Sequence, residues 1–154
     1  MTFDPIATLD VLSGHALAAG WFGSVTTHEP KAAPDVESSL ALAIWLQQIS
    51  PVPAASGMAA TSMRVEWNAR IYTSMLMEPQ DAIDPGMMLA TIDLVSRWSS
   101  DYDLGGNIRN LDLLGACGPP LAARTGYLTQ DGRIMRVATI VVPCIVSDLF
   151  AQGA

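Results

Sequence analysis

TSMRVEWNARIYT, residues 61–73, alternates between apolar and polar side chains along its whole length. The apolar set comprises Met63, Val65, Trp67, Ala69 and Ile71. The set between them comprises Arg64, Glu66, Asn68, Arg70 and Tyr72. Because successive side chains of a strand point to opposite faces, this pattern predicts a long strand with one face in a core.

Two helices are predicted, one on each side of this strand along the chain. The first spans residues 1–20, with Asp4 as its cap and Gly20 as its stop. The second begins at Asp84 and runs to about Tyr102. Its apolar face is predicted to consist of Met88, Ile92, Val95 and either Trp98 or Ser99.

The other strands are predicted from β-branched or alternating stretches, and they cover residues 24–29, 40–49, 108–114, 126–130, 133–137 and 137–146. In the second of these, Leu40, Leu42, Ile44 and Leu46 are expected on one face. Asp131-Gly132 is a hairpin turn signal. Pro143 is expected at a bulge or an edge. The order of elements predicts an α+β fold, with a single, mostly antiparallel sheet covered by two helices.

Composition restricts the function classes. The 154-residue chain is 50% hydrophobic but only 15% charged, against about 25% in an ordinary soluble domain. The high hydrophobic fraction excludes intrinsic disorder. No apolar run reaches the ~20 residues that a membrane span needs. No secretory signal is expected. The net charge of −7 argues against a DNA-coating protein. A charge-poor chain of this kind indicates that part of its surface is buried in an assembly.

Residue patterns for catalysis or metal binding are missing. The histidines, His15 and His28, are not paired with a recognisable nucleophile, and no GxSxG elbow surrounds a serine. Cys117 and Cys144 match no metal module with those histidines. We expect no enzyme activity, no cofactor and no metal. The two cysteines are interpreted as core residues in a reducing compartment, and a disulfide is the alternative.

Two uncharged loops are predicted as contact surfaces. No charge occurs from Ser38 to Met63, a run of 26 residues that includes the loop 51–60, and residues 115–123 form a second uncharged loop. The polar face of residues 61–73 has two open interpretations, a solvated face or a charged strip that meets a neighbouring subunit. The candidate subunit or tube contacts are Pro51, Val52, Pro53, Ala54, Ala55, Ser56, Gly57, Met58, Arg64, Glu66, Arg70, Pro119 and Pro120.

Five segments carry a resemblance to a known family. They are RVEWNARIYTSMLMEPQDAIDP (64–85), IRNLDLLGA (108–116), GYLTQDGRIMRVATIVVPCIVSD (126–148), GWFGSVTTHEPKAAP (20–34) and ISPVPAASGMAATS (49–62). Together they make the chain similar to the tail terminator proteins of long-tailed (siphovirus-type) actinobacterial bacteriophages. The resemblance covers most of the chain and implies a single tail-terminator-like domain over residues 1–154. It carries over no catalytic residues.

The resemblance also implies a function and partners. A ring, usually of six subunits, would cap the tail tube at its head-proximal end, stop its growth and offer a surface to the head–tail connector and neck proteins. DNA would pass through the ring without sequence-specific binding, and assembly would occur in the host cytoplasm without a membrane. Two alternatives stay open: a connector or head-closure protein of the same virion, and a small intracellular α+β ligand-binding domain or enzyme.

Overall fold

Two helices and six strands make up the described part of the computed structural model, which covers residues 3–31, 40–52, 60–74 and 83–151. The helices are α1 (Pro5–Ala19) and α2 (Ile83–Ser100). The strands are β1 (Phe22–Thr26), β2 (Leu40–Pro51), β3 (Ala60–Ser74), β4 (Asn110–Leu111), β5 (Ala122–Gln130) and β6 (Arg133–Ala151). The predicted α+β class is confirmed.

Both ends of α1 follow from local chemistry, as predicted. The Asp4 carboxylate accepts hydrogen bonds from the backbone N–H groups of Ile6 at 3.0 Å and Ala7 at 3.1 Å. These donors would otherwise lack partners in the first turn. Gly20 ends the helix with a φ of 77°, a left-handed conformation that suits a residue without a Cβ.

The strands form one mixed sheet. Its order is β1-β2-β3-β6-β4, and β5 pairs with β6 on the side of β6 that faces away from β3. Only the β1–β2 pair is parallel in the described residues. Both helices contribute to the core on one face, where Leu12 and Ala16 of α1 and Leu94 and Trp98 of α2 join apolar residues of β2, β3 and β6. The helices therefore cover one face of the sheet.

β3 is the centre of the sheet, and its apolar set is buried as predicted. Val65, Trp67, Ala69 and Ile71 lie in the helix-side core. The opposite face is not the open polar face that the alternation suggested, because Arg64, Glu66 and Tyr72 are also buried. Tyr72 belongs to a second apolar cluster with Ala41, Ala43, Met135 and Val137. The two faces of β3 are therefore both covered.

In β2 the predicted face is confirmed by the register, but its burial ends before Leu46. Leu40 and Ile44 and the three residues between them are all buried, on both faces. Leu46, expected on the same buried face, is exposed. The register of β2 against β3 is regular through Leu46, which pairs with Trp67, and shifts only between Leu46 and Gln48. Leu46 therefore lies on the face of Leu42 and Ile44, at a point where burial of that face ends.

The predicted apolar face of α2 is right at Trp98 and wrong at Met88 and Ile92. The buried side chains of the helix are Ile83, Met87, Ala90, Leu94 and Trp98, whereas Met88 is 56% exposed and Ile92 is 59% exposed. Trp98 is fully buried, and its indole N–H donates to the Leu12 carbonyl at 3.3 Å. The helix is therefore rotated so that Met87, Ala90, Leu94 and Trp98 face the core.

Three smaller expectations near the C-terminal half are settled by the sheet. The strand predicted over residues 108–114 is reduced to Asn110–Leu111. The hairpin at Asp131-Gly132 is confirmed, with strands longer than predicted. Pro143, expected at a bulge or edge, lies inside β6 opposite Glu66. Its carbonyl accepts a hydrogen bond from the Asp112 N–H at 2.9 Å. Because the nitrogen and the carbonyl of one strand residue point to the same neighbouring position, the proline nitrogen faces the gap between β5 and β4.

Cys144 is buried as predicted, but Cys117 is exposed, and both are free thiols. Within the described ranges, no helix has the length and apolar character that crossing a bilayer requires.

The rotation of α2 makes a prediction for two neighbouring positions. Leu94→Ala should lower the free energy of unfolding by about 2–5 kcal/mol, because it opens a cavity in a core that has little room to collapse. Ile92→Ala, the matched control on the exposed side, should change it by no more than about 0.5 kcal/mol. Urea unfolding of the two purified variants measures both. Similar losses at both positions would show that α2 is rotated differently.

Candidate functional site

A buried ion cluster links β3 to the loop that follows β4. Arg64 is only 1% exposed, and Glu66 and Asp112 are also buried. The Arg64 guanidinium pairs with the Glu66 carboxylate through Nη1, and Nη2 donates to the Pro119 carbonyl. Its Nε lies 3.5 Å from Oδ2 of Asp112. One arginine thus contacts three groups, two of which belong to residues 112–120, which we call the Arg64 loop.

Asp112 holds the Arg64 loop from inside. Its Oδ1 accepts the N–H of Ala116 at 2.8 Å, and its Oδ2 accepts the N–H of Cys117 at 2.9 Å. Its own N–H donates to the Pro143 carbonyl of β6. A carboxylate that accepts two backbone donors and faces a guanidinium is well compensated for its burial. Asp112 therefore fixes the turn and joins it to the sheet.

Gly118 is required by the close approach of the Arg64 loop to the guanidinium. A Cβ placed on Gly118 would lie 2.7 Å from Cζ of Arg64 and 2.8 Å from its Nη1. Real Cβ atoms essentially never come this close to another heavy atom. The loop therefore lies directly against the buried cation, and no larger residue fits at this position without a shift.

The outer side of the Arg64 loop is apolar and exposed. Leu114 is 95% exposed, and residues 116–120 are exposed as well. A single exposed leucine is ordinary on a protein surface, and this one sits on a turn held by a buried ion cluster. The arrangement presents an apolar side chain at a fixed place on the surface, which is suited to contact with another protein.

The structure brings together part of the predicted contact set. Arg64, Glu66 and Pro119 meet in the ion cluster, and Pro120 is exposed in the same loop. The first two side chains are covered by their own chain, which corrects the interpretation of an open polar strip. Pro51 is exposed and Val52 is buried. Pro53, Ala54, Ala55, Ser56, Gly57 and Met58 lie outside the described residues.

Arg70 lies apart from this cluster, farther along β3. Its Nε donates to Oγ1 of Thr139 at 3.1 Å, and its guanidinium lies 5.3 Å from the centre of the Trp45 ring. That distance suits a cation–π contact. Arg70 therefore joins β2, β3 and β6 across the face of the sheet opposite the helices.

Sequence reasoning missed Asp112, Gly118 and Leu114. The run NLDLLG alternates, so the sequence predicts that Asp112 is part of a strand. The available signal was an aspartate followed within a few residues by Gly115 and by Gly118-Pro119-Pro120, which is typical of a side-chain-stabilised turn. In the described ranges, no group of three or more His, Cys, Asp or Glu side chains is placed to hold a metal ion.

Comparisons with known proteins find similarity among solved structures. No family model matches the chain, and no curated protein matches it. Among solved structures, it is similar to the sheath/tube terminator of an extracellular contractile injection system, PVC, in the extended state. The TM-score is 0.44 at 11% identity, and the match covers 100% of this chain but only 60% of that one.

The close approach at Gly118 makes a prediction about stability. Gly118→Ala should push the Arg64 loop away from the guanidinium and cost about 1–3 kcal/mol, the usual range for overpacking. Gly126→Ala is the matched control, since a Cβ there meets nothing within 4 Å. Chemical unfolding of both variants measures the difference. A neutral Gly118→Ala would contradict the contact between loop and cation.

The two thiols should differ in reactivity. Burial raises the pKa of the Cys144 thiol to about 12, so the reactive thiolate is scarce near pH 8. Ellman's reagent should therefore label one thiol per native chain, at exposed Cys117, and both thiols in denaturant. Cys117→Ser should leave the native protein unlabelled. Two fast equivalents from the native chain would show that β6 is accessible around Cys144.

Proposed function

We propose that this chain is a structural subunit of a bacteriophage tail, and that copies of it form a ring that caps the tail tube and ends its growth. The resemblance of residues 64–85, 108–116 and 126–148 to tail terminator proteins supports this role. The observation that carries the proposal is Leu114, 95% exposed on a turn that the buried Arg64 cluster holds in place. A fixed apolar contact point suits a subunit that works by assembly.

The finer parts of the proposal follow from the same role. Six copies form the ring, the tail tube protein is the partner on one face, and the connector and neck proteins are the partners on the other. DNA passes through the ring without sequence-specific contacts. The net charge of −7 supports this, because negative charge on the subunit repels the DNA phosphates. The protein is assembled in the host cytoplasm and stays at the head-proximal end of the tail. It catalyses no reaction and holds no metal.

A small ligand-binding domain is the alternative from another class, and one observation favours it. A cavity of about 300 Å³ lies at the β1 side of the sheet and is lined by Ser24, Thr26, His28, Pro30, Ala41, Leu42, Ala43 and Tyr72. This volume is at the lower end of the range for ligand pockets.

The connector role within the same virion remains a second alternative. It differs from the cap in the position that the protein takes in the particle.

Electron microscopy of virions that contain this chain tests the proposed function. We expect one ring of this protein between the end of the tail tube and the neck, and tails of irregular length when the protein is absent. A stack of copies along the whole tail would indicate a tube protein, and density within the neck would indicate the connector. Absence of the chain from the particle would overturn the proposed role in the tail. Stoichiometric zinc in the purified protein would overturn the proposal that it holds no metal.

A further inference from the structure

The face of the sheet that lies away from the helices is covered at two ends and open between them. At one end the Arg64 loop lies over Arg64 and Glu66. At the other end the Pro30 carbonyl accepts a hydrogen bond from the Gln130 side chain at 3.2 Å, and Pro30 lines a cavity together with Tyr72. The chain that leaves β1 therefore crosses this face. We call the open part between the two covers the sheet groove.

Two arginines lie on the floor of the sheet groove. Arg70 of β3 is directly opposite Thr139 of β6, and Thr139 is directly opposite Arg124 of β5. Directly opposite residues of an antiparallel pair share a face. Tyr72, two residues from Arg70, belongs to the apolar cluster away from the helices, so all three side chains are on that face. The Cα atoms of the two arginines are two strand spacings apart, or about 10 Å.

The rest of the floor is neutral and partly apolar. Asn68 of β3 is opposite Trp45 of β2 and Val141 of β6, and Val141 is opposite Ala122 of β5. Trp45, Asn68 and Val141 are half-buried, so a ligand can contact them. An aromatic ring and a small apolar side chain beside two arginines have the composition that protein interfaces favour.

Arg70 is held in place without a carboxylate partner. Its Nε donates to Oγ1 of Thr139 at 3.1 Å, and its guanidinium lies 5.3 Å from the centre of the Trp45 ring. In the part of the chain that the structure describes, it forms no ion pair. A half-buried guanidinium has lost part of its hydration, and only neutral groups replace it here. Arg70 is therefore preorganised to bind an oxyanion.

Arg124 adds a second cation at the margin of the sheet. It is exposed, and it too forms no ion pair among the described residues. On the same side of the sheet, the carboxylates of Glu66 and Asp112 are buried and paired with Arg64. Glu29, in the crossing chain, is exposed and pairs with neither groove arginine. The floor of the sheet groove is thus positive in a chain of net charge −7, and it attracts negative groups.

The dimensions of the sheet groove suit one extended peptide that runs across the strands. Tyr72 and Glu66 mark its two covered ends along β3, and their Cα atoms are about 20 Å apart, part of which the covers occupy. In an extended peptide, side chains two residues apart point to the same side at a spacing of about 7 Å. Arg70 and Arg124 can reach two such side chains. A nucleic-acid duplex needs many phosphate contacts, for which two arginines are too few.

We propose that the sheet groove binds an acidic segment of a partner protein. Two carboxylates of the segment, two residues apart, pair with Arg70 and Arg124, and an apolar side chain of the segment packs on Trp45 and Val141. The proposal goes beyond the proposed function and does not depend on it, since neither the ring nor Leu114 takes part. Salt weakens this binding, because it screens exposed charges such as that of Arg124.

A synthetic peptide tests the chemistry of the partner. The probe is a short fluorescein-labelled peptide with glutamate at every second position and serine or valine between them, and the matched control has glutamine in place of each glutamate. Fluorescence anisotropy with the full chain at low salt should show binding of the glutamate peptide. The glutamine peptide should bind at least about ten-fold more weakly, because it lacks the charge-assisted hydrogen bonds.

Variants of the full chain test the place of the contact. Arg70→Gln should weaken binding about ten-fold, and Arg124→Gln about three-fold because its contact is exposed. Arg70→Lys should fall between Arg70→Gln and the unsubstituted chain, since it keeps the charge without the planar fork of donors. Arg109→Gln, at an exposed residue outside the groove, is the control and should bind normally. Thermal melts establish that each variant is folded, and exposed Arg124→Gln keeps the test valid if Arg70→Gln is not.

Amide chemical shifts of the isotope-labelled chain should change on addition of the glutamate peptide within residues 68–70, 122–124 and 139–141. Absence of binding at millimolar peptide overturns the proposal, as does equal affinity for the glutamine peptide or for all the variants. Tighter binding of a single-stranded oligothymidylate than of the peptide contradicts it in favour of nucleic acid. Self-association that both glutamine variants abolish contradicts it in favour of a second copy. The proposed function stands in all these cases, and it fails separately if virions lack the chain.

Discussion

The guanidinium of Arg64 is the constraint on which the surface of this protein depends. A buried cation is costly unless charges and hydrogen-bond acceptors surround it. Glu66, two residues along the same strand, supplies part of this compensation, and Asp112 and the Pro119 carbonyl add to it. The Arg64 loop is therefore held in place by the sheet. The lack of room at Gly118 and the fixed exposure of Leu114 both follow from that attachment.

The position of β3 in the sheet explains why Arg64 is buried. β3 pairs with β2 on one side and with β6 on the other along most of its length. Its apolar face packs under the helices, so Arg64 and Glu66 are directed to the opposite face, where the Arg64 loop covers them. The same order of strands puts α1 and the hairpin at opposite margins.

Local patterns were enough to predict much of the fold. β3 was found from its period of two, α1 from the Asp4 cap, and the hairpin from Asp131-Gly132, because each signal lies within a few residues. The face of α2 is predicted wrongly at Met88 and Ile92 because the sequence allows two apolar stripes that both contain Trp98. Packing of Met87, Ala90 and Leu94 in the core distinguishes the observed stripe. The Arg64 cluster joins residues 48 positions apart, and no short-range pattern encodes such a contact. Residues 53–58 of the predicted contact loop lie outside the described residues, so the role of this loop stays a prediction.

Amide hydrogen exchange tests the central claim, that Arg64 holds the loop, most directly. The N–H groups of Ala116 and Cys117 are bonded to Asp112, and they should be protected in the unsubstituted chain. In Arg64→Met, Asp112 loses its cationic partner, so these two amides should exchange markedly faster while amides in the β3–β6 ladder stay protected. Unchanged protection of Ala116 and Cys117 in that variant would contradict the account, because the loop would then keep its shape without the buried cation.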